Sequence, residues 1–458
     1  MTTMIDDAVQ AQIPSLTVQT RVLPDADRDL LSYLPGPASF AWVRNGSGLV
    51  AWGEAARIVV NGRERFSRAQ RWWSAVVRAA NIKDPLSRPG SGIVAFASFA
   101  FEPGRSVLVV PRVVIGRSER LTWVTTIRET GEAEFDPIAE LESLTWPITA
   151  PQHVVFGEGT RDTKSWQRSV AEAVERITRG ELDKVVLARD IVAHSSTPID
   201  PRFVLQRLAE RYPECWTFLV DGLVGATPEL LVRRRGDVVT SRVLAGTIRR
   251  GASSEADQDL ASALLASDKE QEEHEYAVAS VAAALSAHCT DLSVPESPRL
   301  LRLANVQHLA TDVTARIADE TPVLALAASL HPTAAVCGTP TERAAATIRS
   351  LEGMDRSRYA GPVGWIDARG DGELGIALRC GKIDQSDQRR IRLFAGCGIV
   401  AGSDPVSELA ETNAKLEPMR QALLGYPFFN TSVFFATAST AEVVKGHVNW
   451  RPCAHASS

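Results

Sequence analysis

Glu408, Glu411 and Lys415 stand at i, i+3 and i+7 in the run from Pro405 to Lys415, so on a helix all three project from one face. Two carboxylates there suit a hard divalent cation such as Mg2+. A lysine one turn further on suits an anion. The preceding run, Leu393-Phe-Ala-Gly-Cys-Gly-Ile-Val-Ala-Gly, adds Gly396 and Gly398, whose backbone N–H groups can be approached closely. Metal and anion together describe a place for a carboxylated small molecule; a solvated helix face is the plainer reading. A second acidic pair, Glu270 and Glu273, is spaced i, i+3 in Ser267-Asp-Lys-Glu-Gln-Glu-Glu-His. Acids in a first turn also simply complement the helix dipole. Two pairs on two helices would supply four carboxylates to one ion if the fold brings them together.

Other candidate groups are scattered along the chain. Lys184 opens an apolar run, Val185-Val-Leu, where a snorkelling edge lysine is ordinary and an enclosed one near other cations could act as a base. Glu229 follows Pro228 at a strand entry, either as a solvated turn residue or as an acid with raised pKa able to donate a proton. Ala245-Gly-Thr-Ile-Arg-Arg-Gly251 reads as a strand ending in a turn, with the Thr247 hydroxyl and backbone donors free. His308 stands in an apolar stretch as a structural histidine, and Leu330–Pro340 is a proline-bounded loop that opens a helix at Thr341–Leu351.

The elements that must position these groups are legible in outline. Residues 1–35 read as a lead-in with a first strand, and 36–426 as one domain with a variable part at 36–160 and a motif-bearing part at 161–426. Strand-like runs at Phe40–Val43, Ile58–Val60, Gly92–Phe101, Val107–Val110 and Leu121–Thr126 surround a helix at about 67–80. Residues 128–160, with three prolines, read as a connection. Thr163–Arg179 is helical, Lys184 begins a strand, and helix Pro201–Tyr212 precedes strand Trp216–Val220. A hairpin joins Leu230–Arg233 to Val238–Arg242, and helix Ser254–Ala266 leads to an acidic helix capped by Ser267 or Asp268. Arg369-Gly-Asp-Gly372 marks a second hairpin between Trp365–Ala368 and Leu374–Arg379, and Arg390–Ala395 is the last strand. The order predicts an α/β chain of the α+β type: one large mixed domain with antiparallel β-sheets flanked by helices. No Walker or Gly-x-Gly-x-x-Gly pattern follows a strand. The tail at 427–458, rich in phenylalanine at its start, has no assigned role.

Bulk properties narrow the class. The 458 residues, 45% hydrophobic and 23% charged, are those of a soluble globular protein. A net charge of −5 gives no electrostatic reason to expect nucleic acid. No run reaches the length of a membrane span, and the N-terminus lacks a signal-peptide pattern. The six scattered cysteines contain no Cys-x-x-Cys pair and fit reduced thiols in a cytoplasmic protein.

Taken together and in order, the pieces are specific. Asp183-Lys-Val-Val-Leu-Ala-Arg189, Thr227-Pro-Glu229, Ala245-Gly-Thr247, Lys269–His274, Val306-Gln-His-Leu309, Leu330–Pro340, Tyr359-Ala-Gly-Pro-Val-Gly-Trp365, Ile376-Ala-Leu-Arg379 and Gly396–Lys415 resemble the chorismate-utilising enzymes. That family comprises anthranilate synthase large subunits, aminodeoxychorismate synthases, salicylate synthases and isochorismate synthases. The resemblance spans about residues 160–420 and is closest to the isochorismate synthase branch. Lys184 stands where that branch has its water-activating lysine and ammonia-using relatives have glutamine. His331-Pro-Thr is similar to that branch's loop, and Ala335 stands where lyases tend to carry threonine or serine. Val243, where many relatives have proline, is a departure of little consequence.

The resemblance implies the anthranilate synthase large-subunit fold and conversion of chorismate to isochorismate, feeding menaquinone or siderophore biosynthesis. It implies that Lys184 activates the water that attacks C2, and that Glu229 protonates the C4 hydroxyl as it leaves. Mg2+ would hold the ring carboxylate through Glu273 and Glu411, with Glu270 and Glu408 in support. Tyr359, Arg379, Lys415, Gly396 and Gly398 would receive the enolpyruvyl carboxylate. Gly246, Thr247, His308 and Ala335 would line the ring pocket. A monomer needing no glutamine amidotransferase subunit, membrane or nucleic acid is expected. The rival readings are a salicylate synthase, which goes on to eliminate pyruvate, and a catalytically silent chorismate-binding homologue.

Overall fold

The two acidic helices start where their sequences place N-caps. Ser267 accepts from the Glu270 N–H at 3.4 Å and opens helix Asp268–Ser286. Asp404 accepts from the Ser407 N–H at 2.8 Å and opens helix Pro405–Leu424, with Pro405 at its first position. Each side-chain acceptor satisfies an amide that the helix itself leaves unpaired. Gly425, at φ +67°, closes the second helix in the left-handed conformation that glycine adopts without strain. The structure, a computed structural model, describes residues 13–24, 28–119 and 121–425; the tail at 427–458 lies outside them.

Around these helices the described residues form one sheet of thirteen strands and one of ten. Pairing is antiparallel apart from the contact between Leu16–Val22 and Asn81–Lys83. The strand Lys184–His194 lies near one end of the larger sheet. It pairs along ten positions with Arg390–Ile399, from Val185 opposite Ile399 to His194 opposite Arg390. Its first ten residues are buried on both faces. One face carries the groups described below, and helices cover the other.

The two sheets share a core in which Trp42 and Phe218 of the larger sheet join Phe96, Leu231 and Leu374 of the smaller. The indole N–H groups of Trp42 and Trp216 both donate to Glu373 Oε2, at 2.9 and 3.1 Å, and so tie the sheets with a polar link. Helices Pro201–Arg211 and Pro405–Leu424 pack Leu205, Leu208, Leu416 and Met419 on the outer face of the larger sheet. Fully burying side chains of this kind contributes about 1.5–3 kcal/mol each, so apolar packing leaves room for a polar, imperfectly paired site.

Three local expectations are corrected. Residues 128–160 are more than a connection, because they contain helix Pro137–Leu144 and strand Val155–Glu158. Asp136 caps that helix through the Ile138 N–H at 2.9 Å, and Pro137 is its first residue, so the proline there starts an element instead of breaking one. The run at Ala245–Gly251 is no strand-ending turn. Strand Val238–Arg249 continues through it, with a bulge between Ala245 and Thr247. The second hairpin's return strand stops at Ile376, and Arg379 lies beyond it at φ +48°.

Candidate active site

Lys184 is the first residue of its strand and is only 4% exposed. Its Nζ reaches Glu273 Oε1 at 2.6 Å. The neighbouring strand passes beneath this pair at Gly398. A Cβ there would lie 2.8 Å from Glu273 Oε1 and 3.0 Å from Lys184 Cε, so with any larger residue the ends of these two side chains would have to shift. Two residues back, a Cβ on Gly396 would meet the Tyr359 hydroxyl at 3.2 Å. The Gly396 carbonyl accepts from Lys415 Nζ at 3.0 Å, and Lys415 also pairs with Glu411 Oε1 at 2.5 Å. The two acidic helices therefore meet one strand at positions two residues, roughly 7 Å, apart.

The bulge in strand Val238–Arg249 organises a third set of groups. Gly246 adopts φ +77°, and the Thr247 N–H turns to Glu270 Oε2 at 3.1 Å. Thr247 Oγ1 lies 2.9 Å from His308 Nδ1, and Arg379 Nη2 lies 3.5 Å from His308 Nε2. Burial, with the charges of Arg379 and Lys415 nearby, holds the His308 pKa well below its ordinary value. A neutral imidazole facing a guanidinium must accept at Nε2, so Nδ1 carries the proton and donates to Thr247 Oγ1. The Thr247 hydroxyl proton is then left for a ligand. His274, one residue after Glu273, sits between the Ala245 carbonyl at 3.2 Å and Thr311 Oγ1 at 2.7 Å. It fixes the acidic helix against two strands.

Glu229 projects into a cavity of about 70 Å³. Burial raises its pKa to about 8, against the opposing pull of Arg379, Lys184 and Lys415. The carboxyl is accordingly neutral at pH 7, with cations close by. Thr247, His308, Ala335, Tyr359, Arg379, Gly396 and Lys415 line the same cavity. Tyr359 is held by stacking on Phe394, ring centres 5.1 Å apart. Of the residues expected to handle substrate, Gly246 and Gly398 stand behind this lining. Lys184 and the four glutamates lie outside it as well.

Glu270, Glu273, Glu408 and Glu411 were expected to share one ion. Among the described residues no three acidic, histidine or cysteine side chains gather closely enough to form a ready cage. The physical reason is charge balance, for Glu273 takes Lys184 and Glu411 takes Lys415 as counter-ion. The donors themselves are hard carboxylate oxygens on two helices that approach one strand, a set whose chemistry fits Mg2+.

Arg356 is a lining residue that sequence reasoning missed. It is buried, its Nε donates to Glu352 Oε2 at 2.9 Å, and its other nitrogens reach the carbonyls of Val186 at 2.7 Å and Val336 at 2.9 Å. Glu352 in turn accepts from the Ala188 N–H at 2.7 Å. The pair clamps the Lys184 strand to the Leu330–Pro340 loop. Its i, i+4 spacing was the available signal, though such spacing normally marks a surface pair.

A model of the chorismate binding enzyme family matches residues 36–424. The isochorismate synthase MenF of Bacillus subtilis is 31% identical over 405 residues, covering 82% of this chain and 85% of that protein. The salicylate biosynthesis isochorismate synthase of Pseudomonas aeruginosa is 34% identical over 408 residues, covering 83% and 84%. Among solved structures, the menaquinone-specific isochorismate synthase MenF of Escherichia coli superposes with a TM-score of 0.75 at 27% identity, covering 92% of this chain and 99% of that one. With the family match extending over most of its length, the chain belongs to the chorismate-binding enzymes.

Proposed function

We propose that the protein is an isochorismate synthase, converting chorismate to isochorismate. The observation that carries this is Glu229: a carboxyl buried in a cavity that also presents Arg379 and Lys415, its pKa raised by that burial to about 8. The cations suit the carboxylates of chorismate, and the neutral acid suits a departing hydroxyl. Relatives named isochorismate synthase at 31% and 34% identity over most of both chains support the same reading.

The chemistry is a conjugate displacement. Lys184 must first release the proton it shares with Glu273; as the free amine it then takes a proton from water as the water oxygen bonds to C2. The ring double bonds shift, the C4–O bond breaks, and Glu229 gives its proton to the departing hydroxyl, which leaves as water. One water enters and one leaves, so the reaction is an isomerisation. Arg379, Lys415 and Tyr359, with the backbone at Gly396 and Gly398, hold the enolpyruvyl carboxylate. Thr247, oriented by neutral His308, and the bulge at Gly246 face the ring.

Glu273 and Glu411, supported by Glu270 and Glu408, would hold Mg2+, which when bound neutralises the ring carboxylate. Because water is the nucleophile, no amidotransferase subunit is called for, and we read the working unit as a monomer. No helix of the described residues is long and apolar enough to cross a membrane. The five described cysteines are free and buried, which supports a cytoplasmic setting. The matched relatives include one named for salicylate and one for menaquinone. Both fates start from the same product.

Incubation of the purified protein with chorismate and Mg2+ tests the reading. Isochorismate without pyruvate is expected. Salicylate with an equivalent of pyruvate would transfer the assignment to a salicylate synthase, and unchanged chorismate to a silent binding protein.

A further inference from the structure

Behind Glu229 lies a second, much smaller cavity, in which about 10 Å³ is open to the centre of a water molecule. Glu229, Thr333, Ala335 and Ser241 are among the residues around it. Glu229 and Ala335 also line the larger cavity, so both residues border the two spaces. Thr333 is 4% exposed, and its Oγ1 has no hydrogen-bond partner among the described residues. The backbone of Thr333 is well held, its carbonyl accepting from the N–H groups of Val336 at 3.2 Å and Cys337 at 3.0 Å. The hydrogen bonds that fix Glu229 are likewise those of its backbone: its N–H to Thr227 Oγ1 at 3.3 Å, and its carbonyl from the Ile376 N–H at 3.1 Å.

The remaining wall is largely apolar, with Leu230, Val243, Val281 and Ile376; Arg242 also borders it, and its guanidinium is taken by Asp312 at 2.6 Å. A buried hydroxyl facing such a wall is costly without a partner. About 10–15 Å³ is the least space that holds one water, and that water needs at least two polar partners. The cavity meets the lower bound on size, and Thr333 and Glu229 provide the partners.

We propose that Thr333 is a positioning residue for Glu229, its hydroxyl holding one buried water that hydrogen-bonds the carboxyl oxygen turned away from the substrate cavity. This rests on Glu229 being the proton donor of the proposed reaction. A carboxylic acid donates from one oxygen and accepts at the other. Anchoring the accepting oxygen from behind points the O–H forward, toward the departing hydroxyl. The water is neither consumed nor formed in this arrangement.

Thr333→Val removes the hydroxyl at nearly constant shape, and Thr333→Ser retains it. Thr333→Val is expected to lower kcat for isochorismate formation about tenfold, a part of the roughly 10²–10⁴-fold that a full proton donor contributes, with KM for chorismate essentially unchanged. Thr333→Ser should restore most of the loss. In a Glu229→Gln background, Thr333→Val should have little further effect, because the group it positions is gone. A crystal structure of the wild-type protein should show one ordered water in hydrogen-bond contact with both Thr333 Oγ1 and the Glu229 carboxyl. That measurement stands even if the valine variant fails to fold. A dry cavity, wild-type kcat in Thr333→Val, or equal damage from serine and valine would each overturn the proposal. Those results leave the isochorismate assignment intact, whereas a wild-type protein that makes no isochorismate removes that assignment first.

Discussion

Lys184 and Glu273 meet at 2.6 Å directly over Gly398, whose missing side chain leaves room for both. Gly398 thus links the residue assigned as base, the acidic helix and the sheet in one contact. Gly398→Ala would push a methyl group to within 2.8 Å of Glu273 Oε1 and 3.0 Å of Lys184 Cε, forcing the pair apart. The shift needed is less than the roughly 1 Å misplacement that costs about 10²-fold, so kcat/KM should fall by a smaller factor. The thermal midpoint should move far less than the activity, and both are read on the same purified variant.

The acid and base are tested by Lys184→Ala and Glu229→Gln. Each should lower kcat by about 10²–10⁴-fold while chorismate still binds. Since both act in one step, the double variant should be far less than multiplicatively worse. Turnover by Lys184→Ala close to that of wild type would move the base elsewhere. The pH profile adds a signed expectation. With its pKa raised to about 8, Glu229 loses the proton it must donate as pH climbs through that value. The alkaline limb of kcat/KM, which reports groups of the free enzyme, should fall there and be absent from Glu229→Gln. The same shift acts on stability. A folded-state pKa above the ordinary 4.5 makes a contribution that is full at acid pH and is lost as pH rises toward 8. The thermal midpoint of wild type relative to Glu229→Gln should decline across that window.

The proposed metal role of the four glutamates is tested by chelation. Chelation with EDTA should abolish turnover and added Mg2+ restore it. Glu273→Gln and Glu411→Gln keep volume and remove charge, so each should weaken metal-dependent chorismate binding while the far-ultraviolet circular dichroism stays unchanged. Full activity in either variant would exclude that residue from the metal.

Ala335 lines both cavities, where lyase relatives tend to place a hydroxyl. Ala335→Thr should therefore raise pyruvate release relative to isochorismate, measured with a coupled lactate dehydrogenase assay. An unchanged product ratio would show that this position does not control the outcome.

Much of the fold was legible because it is local. Helix Thr163–Thr178, strand Trp216–Val220 and the two acidic helices follow from caps, periodicity and propensity that act within a few residues. The family resemblance rested on residue types in a fixed order. Of the residues it named, Glu229, Thr247, His308, Ala335, Tyr359, Arg379, Gly396 and Lys415 line one cavity, and Lys184, Gly246, Gly398 and the four glutamates lie outside its lining. Strands such as Ser47–Trp52 and Leu223–Thr227 went unnamed. Their pairing partners, more than their own composition, make them strands.

The sequence by itself therefore determined most of the helices, the family and the identities of the chemical groups. The tertiary structure alone decided their states. That Glu229 is neutral at pH 7 results from burial among residues far apart in the chain. That Ala245–Thr247 is a bulge and not a turn depends on the strand Val306–Ile317 running alongside. That Glu273 rests against Lys184 depends on where the helix Asp268–Ser286 meets the sheet, whereas the Glu411–Lys415 pair is local to one helix. Protonation, pairing and close approach are properties of an environment, and residues distant in sequence supply that environment only once the chain has folded.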